Sequence, residues 1–230
     1  MTDYQLTAGH TSDFARRNDI PWLVCEQPRP GFKSGAGEII DDLESYTVAG
    51  HPMKNVADPG NWVHELTHQV NSDIRNRQTV KHKKPYNAFY LLNGYAVALP
   101  EPPTTIGAIA RLVNSRDRGE GYKTYLVDSR KSRFGYEGWD KQPLYIMDEM
   151  TCFANGLWYH VRTKTKDAKR LSMVAAFQAY GTALMAAVEP TKYKHKEVLR
   201  KFIQWSQDRA DYLMALYEGK SFDPENYDHW

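Results

Sequence analysis

Residues 57–78 read ADPGNWVHELTHQVNSDIRNRQ, and this stretch decides what the rest of the chain has to fold around. The carboxylate of Asp58 suits an N-cap, because it can accept from the free amides of a first helical turn. Pro59 suits the first helical position, where a missing N–H costs nothing. Trp62, Val63, Leu66 and Val70 then recur at helical spacing, so a helix is expected to start at Asp58 and to emerge into solvent by about Asn76. In its middle His64, Glu65 and His68 spell H-E-x-x-H.

A helix brings residues four apart onto one face, so His64 and His68 can both direct a ring nitrogen at one zinc ion about 2.0–2.1 Å away. Glu65 projects beside such an ion, where it can take a proton from an activated water and pass it to a leaving amine. The plainer alternative is a pair of helical histidines that merely form hydrogen bonds. Against it stand the capped helix and the apolar flanks Val63, Leu66 and Val70, which would dry and fix a metal site. A catalytic zinc normally has three protein ligands. Glu149 is the candidate for the third, since a carboxylate at the start of an otherwise apolar helix is costly to bury unless a cation compensates it. Asp148 is its competitor, and either could simply favour the helix dipole. His160 lies too far along the same helix to share an ion with Glu149, and His82, in KHKK, reads as solvated.

The pentapeptide HELTH at 64–68 and, more loosely, YIMDEMTCFANGLW at 145–158 resemble the zincin metallopeptidases in their gluzincin pattern. The resemblance implies a zincin-like α+β fold, zinc as the cofactor, a peptide or protein substrate, and Glu149 as third ligand on a later helix. It also implies a Tyr or His that stabilises the oxyanion, for which Tyr136 and Tyr145 are candidates. Two departures stand out. Phe153 occupies the position four beyond Glu149, where many gluzincins carry a polar residue supporting the first histidine, and about eighty residues separate HELTH from Glu149. The metzincin extension is absent, its positions being Asn71 and Ile74.

Around this centre the chain divides in two. IPWLVCEQP and LESYTVAGHP read as strands or extended segments, and PGFKSGAGE as a loop without the order of a phosphate-cradling motif. YNAFYLLNGYAVALPEPP carries an apolar run around an Asn-Gly pair, and GYKTYLVDS alternates like a half-buried strand. AFYLLNGYAVAL is a candidate edge strand for holding an extended substrate. A short helix is expected over 105–114 behind Thr105, and a basic loop at SRKSRFGYEGWDKQP. From Leu144 the pattern is helical: one helix through Val161, a second ended by Pro190, and a third with a stripe from Leu199 to Tyr217 ended by Gly219. The expectation is an α+β chain forming one domain over 1–230, with an α+β part at 1–143 and a helical part at 144–230.

Composition sets outer bounds. The chain has 230 residues, 41% hydrophobic and 25% charged, an ordinary globular balance that argues against wholesale disorder. A formal net charge of +2 gives no long-range reason to expect a nucleic-acid or membrane partner, and the basic runs TKYKHKEVLRK and SRDRGEGYK read as solvated faces. The opening residues lack the apolar stretch of a signal peptide, so a cytoplasmic protein is expected. Cys25 and Cys152 make no disulfide framework. The leading expectation is a zinc-dependent metallopeptidase with His64, His68 and Glu149 on the metal and Glu65 as general base. The alternatives are a non-peptidase enzyme, using iron or acting as an amidase on the same site, and a non-catalytic binding module.

Overall fold

The computed structural model describes Ile20 and residues 22–48, 58–131 and 138–220. The N-cap read from the sequence is present: Asp58 accepts from Gly60 N at 2.9 Å, and helix α2 runs over Pro59–His82. It reaches solvent at Asn76, as expected, and continues beyond it. The polar segment after Asn76 stays helical, with Lys81 and His82 at the end where a helix dipole favours positive charge. It stops at Lys83, which adopts a left-handed conformation two residues before Pro85.

Three antiparallel strands form one sheet: β1 over Trp22–Val24, β2 over Tyr86–Tyr90 and β3 over Tyr95–Pro100, in the order β1-β3-β2. Leu92, Asn93 and Gly94 all take positive φ in the β2–β3 connection. Gly94 is needed there twice over, for its φ of 81° and because a Cβ would strike the Tyr46 hydroxyl. Successive residues of β2 point to opposite faces. Phe89 enters a core with Ile106, Ile109, Phe177 and Phe202, while Ala88 and Tyr90 enter a second core with Leu43, Val63, Leu66 and Val70.

The second core is built by α2 and by α1, over Glu38–Tyr46. That corrects the expectation of an extended segment across LESYTVAGHP, as far as its residues are described. Ile39, Ile40, Leu43 and Tyr46 recur at helical spacing and are all buried, so the apolar face outweighs the strand preference of Tyr46, Thr47 and Val48.

The first core gathers α3 (Ile106–Leu112, capped by Thr105 as expected), α5 (Tyr145–Thr163), α6 (Ala168–Val188) and α7 (Lys196–Tyr217). GYKTYLVDS is not a strand. It forms a short helix α4 (Glu120–Tyr122) that widens into a π-helix over Lys123–Asp128. The wide turn buries Leu126 while Tyr122 donates to Ala110 O at 2.9 Å. The fold is thus α+β and mostly helical.

One carboxylate sets where α5 begins. Leu144 caps that helix without a side-chain bond of its own, and Glu101, just past β3, accepts from Leu144 N at 3.0 Å. Burial pushes the Glu101 carboxyl up to about 8 despite that bond.

Asp42 on α1 accepts from the Tyr90 hydroxyl at 2.9 Å and from Asn93 N at 3.0 Å, tying α1 to the hairpin. Burial raises its pKa from 3.8 to about 6, against those two hydrogen bonds. Between these values the folded state holds a proton that the unfolded chain has released, so stability falls as pH rises through this window and the cost is constant above it. Asp42→Asn, which keeps an acceptor, should therefore gain stability over the parent at pH 7 but not near pH 4. Urea unfolding of the two proteins at both pH values measures the difference, and an equal offset at both pH values would contradict this account.

Candidate metal centre

His64 and His68 lie one turn apart on α2, facing the first turns of α5. Their Nε2 atoms stand 3.1 Å apart, and Oε2 of Glu149 is 3.5 Å from each. Ligands held about 2.0–2.1 Å from a tetrahedral ion stand about 3.3 Å from one another, so the three atoms have the spacing of one ion's donor set. Glu149 Oε2 is buried and has no hydrogen-bond partner among the described residues. A carboxylate oxygen left so is costly unless a cation faces it, and two imidazoles plus one carboxylate are a donor set that zinc takes. The residues fit the metal.

The electrostatics differ between the two rings. Burial first, and then the charges of His68 and Arg170, bring the His64 pKa down to about 2, which leaves this ring a neutral base. Burial would lower His68 as well, but Cys152 and Asp148 outweigh it and raise its pKa. A metal ion and a proton therefore compete for His68.

Each ligand but one is held from behind. His68 Nδ1 lies 2.9 Å from Asp148 Oδ2, and Asp148 Oδ1 accepts from Asn71 Nδ2 at 2.5 Å. Asp148, the competing candidate for third ligand, thus orients His68 by its far nitrogen while Glu149 faces the two Nε2 atoms. Tyr145 donates to Glu149 Oε1 at 2.5 Å, and its ring stacks on Trp139 at 4.9 Å. Its hydroxyl is engaged in fixing Glu149. Tyr136 lies outside the described residues. His64 is the exception: its Nδ1 is buried without a partner among the described residues, and Phe153 meets its ring at 4.4 Å. The departure seen in the sequence at Phe153 is real in space, and an apolar ring stands where a polar support would.

Asn71 was visible in the sequence only as a missing extension residue. It sits three positions after His68 on the same helix face, a spacing that could have pointed to it. Its Oδ1 accepts from Tyr90 N at 2.6 Å, so it links the centre to β2. Behind it Asn155 donates to Thr67 Oγ1 at 3.2 Å and to Tyr90 O at 3.1 Å, and accepts from Arg209 at 2.7 Å. Tyr125 had no readable signal, because its stretch reads as a strand. On the π-helix its ring packs edge-on to Phe153 at 5.9 Å. Burial and then Glu149 raise the pKa of its phenol, with Glu65 acting in the same direction, so Tyr125 stays a protonated donor beside these groups. Glu65 is half-buried on α2. His82 is exposed and stacks on Tyr86, and His160 is buried against Thr165, 2.7 Å from Nδ1, away from the donor set.

The outward amides of the strand offered by the sequence as a substrate edge have partners within the chain. Leu91 N bonds Tyr95 O, which fixes the alternation so that Tyr86, Ala88 and Tyr90 turn their amides outward. Those amides go to Thr79 Oγ1, Asn87 Oδ1 and Asn71 Oδ1, at 3.1, 2.9 and 2.6 Å.

Compared with family models, curated proteins and solved structures, the chain matches none. Its function is therefore argued from the centre itself.

Supporting groups of this kind change metal affinity by roughly 10–100-fold when removed. Asp148→Asn and Tyr145→Phe should each weaken zinc binding to that extent, and Glu149→Gln by more than either. Competition against a chromogenic chelator gives the three affinities. Equal zinc affinity in Glu149→Gln and the parent protein would remove Glu149 from the donor set.

Proposed function

We propose that the protein is a zinc-dependent hydrolase of peptide bonds on a zincin-like fold, with His64, His68 and Glu149 holding the ion and Glu65 moving the proton. The observation that carries this reading is the triangle of 3.1, 3.5 and 3.5 Å formed by two imidazole nitrogens and a buried, unpartnered carboxylate oxygen. Zinc in such a site polarises a carbonyl and lowers the pKa of a water beside it.

The chain's own residues supply the rest. Glu65 follows His64 directly on α2, where a carboxylate can accept a proton from the attacking water and return it to the leaving amine. Asp148 keeps His68 Nδ1 protonated in its neutral form, which leaves the Nε2 lone pair for the ion. Tyr145 holds Glu149 by its other oxygen. Tyr125, kept protonated beside Glu149 and Glu65, is the donor suited to charge developing on a carbonyl oxygen, the role for which the sequence offered Tyr136 and Tyr145.

Glu65→Gln should keep one equivalent of zinc and lose on the order of 10²–10⁴-fold in kcat. Metal analysis of the purified protein, together with cleavage of a peptide library read by mass spectrometry, tests both parts. Iron in place of zinc after anaerobic purification would turn the same donor set toward non-haem iron chemistry. Undiminished activity in Glu65→Gln would sink the proposed proton transfer.

A further inference from the structure

Two lysine-rich stretches lie roughly a hundred residues apart in sequence: Lys81, His82, Lys83 and Lys84 at the end of α2, and Lys192 to Lys196 leading into α7. The fold makes them one surface. Tyr193 donates its hydroxyl to Pro100 O at 2.6 Å, and Pro100 is the cross-strand partner of Tyr86. Tyr86 in turn stacks on His82, with centroids 4.8 Å apart, and carries Lys84 Nζ 5.4 Å from its ring centre. His195 lies against Tyr193 at 5.6 Å. Burial, then Lys84 and Lys194 from the two stretches, lower the pKa of His195.

Lys81, Lys83, Lys84, Lys192 and Lys194 are exposed, and none has a carboxylate within 4.0 Å among the described residues. The acids flanking the second stretch, Glu189 and Glu197, are both taken by Arg200, and Lys196 is tied to the Glu189 carbonyl. A helix dipole accounts for Lys81 and His82, which sit at the C-terminus of α2. It does not account for Lys194 and Lys196, which flank the N-terminus of α7, where positive charge is disfavoured. A protein of formal net charge +2 thus gathers six lysines where they repel one another and where one helix end opposes them.

A polyanion compensates such a cluster. Lysines act as point charges on phosphate, without the bidentate geometry that fixes orientation, and so suit a backbone read without regard to sequence. The exposed ring of His82 over Tyr86 and the half-exposed His195 add flat faces on which unpaired bases stack. Among the large exposed apolar side chains of the described residues only Val80 borders either stretch, too little to insert into a lipid surface. We propose that this surface binds single-stranded nucleic acid through its phosphates, without sequence preference. It lies roughly 20 Å along α2 from His68, at 1.5 Å per residue, and is independent of what the metal centre does.

Fluorescence anisotropy of the full chain with a labelled mixed-sequence oligonucleotide is the test. With four to six lysines engaged, affinity should fall roughly twenty- to a hundredfold between about 50 and about 150 mM salt. Reversing Lys83, Lys84, Lys192 and Lys194 to Glu should abolish measurable binding, while Arg116→Glu with Lys123→Glu, in the other basic run, should leave it intact. The double variant Lys83→Glu/Lys192→Glu, one residue from each stretch, carries the test if four reversals unfold the protein, and should lose at least about fivefold at the lower salt. The proposal fails if the oligonucleotide does not bind at the lower salt, or if binding survives the reversals. It fails equally if duplex DNA or phosphatidylserine vesicles bind more tightly than the single strand. Far-UV circular dichroism of each variant serves as the fold control and does not enter the readout.

Discussion

The carboxamide of Asn71 holds three elements to one another in a place with no access to water. Its oxygen accepts the Tyr90 amide of β2, its nitrogen donates to Asp148 of α5, and its own backbone belongs to α2. Neither bond can be exchanged for solvent, so losing the side chain would leave an amide and a carboxylate oxygen unpaired, at about 1–3 kcal/mol or more each. The position of α5 against α2 follows from this, and with it the distance between Glu149 and the two histidines. The candidate metal centre depends on how a buried polar network is satisfied, and the spacing of its three donors follows from the packing around them.

The division of labour between Asp148 and Glu149 shows why adjacent carboxylates are both retained. Consecutive residues on a helix point about 100° apart. One therefore reaches the far nitrogen of His68 while the other reaches the face between the rings. Tyr145 then occupies the second oxygen of Glu149, leaving a single oxygen toward the histidines. His64 has no such support and is positioned by the Phe153 ring, which packs against Phe177 and Tyr125 in the larger core. One ligand is oriented by hydrogen bonds and the other by shape.

Much of this was legible in the sequence, for identifiable reasons. The Asp58 cap, the histidines four apart and the helical stripe after Leu199 are local patterns that need only helix geometry. Glu149 could be chosen, but the choice against Asp148 depends on the rotation of α5 about its axis, which Glu101 and Asn71 set from elsewhere in the chain. Tyr145 was read as a donor to substrate because nothing local shows that its hydroxyl is spent on the residue four positions on. Tyr125 was missed because Tyr122, Thr124 and Leu126 fall at strand spacing, whereas burial against α3 and α6 winds the segment as a π-helix. The two lysine stretches read as ordinary solvated faces because their meeting depends on a hydrogen bond from Tyr193 to a strand end.

The closed edge of β2 reaches beyond substrate binding. An unpaired strand edge is a template on which another chain can add itself, and small sheets are exposed to that hazard. Here Thr79, Asn87 and Asn71 seal one side, leaving the three residues of β1 as the other. Because Asn71 also steadies Asp148, the side chain that guards the sheet against self-association is one of those that shape the metal centre. A substitution at Asn71 that loosens the one contact therefore disturbs the other, so edge protection and site geometry are coupled through a single side chain.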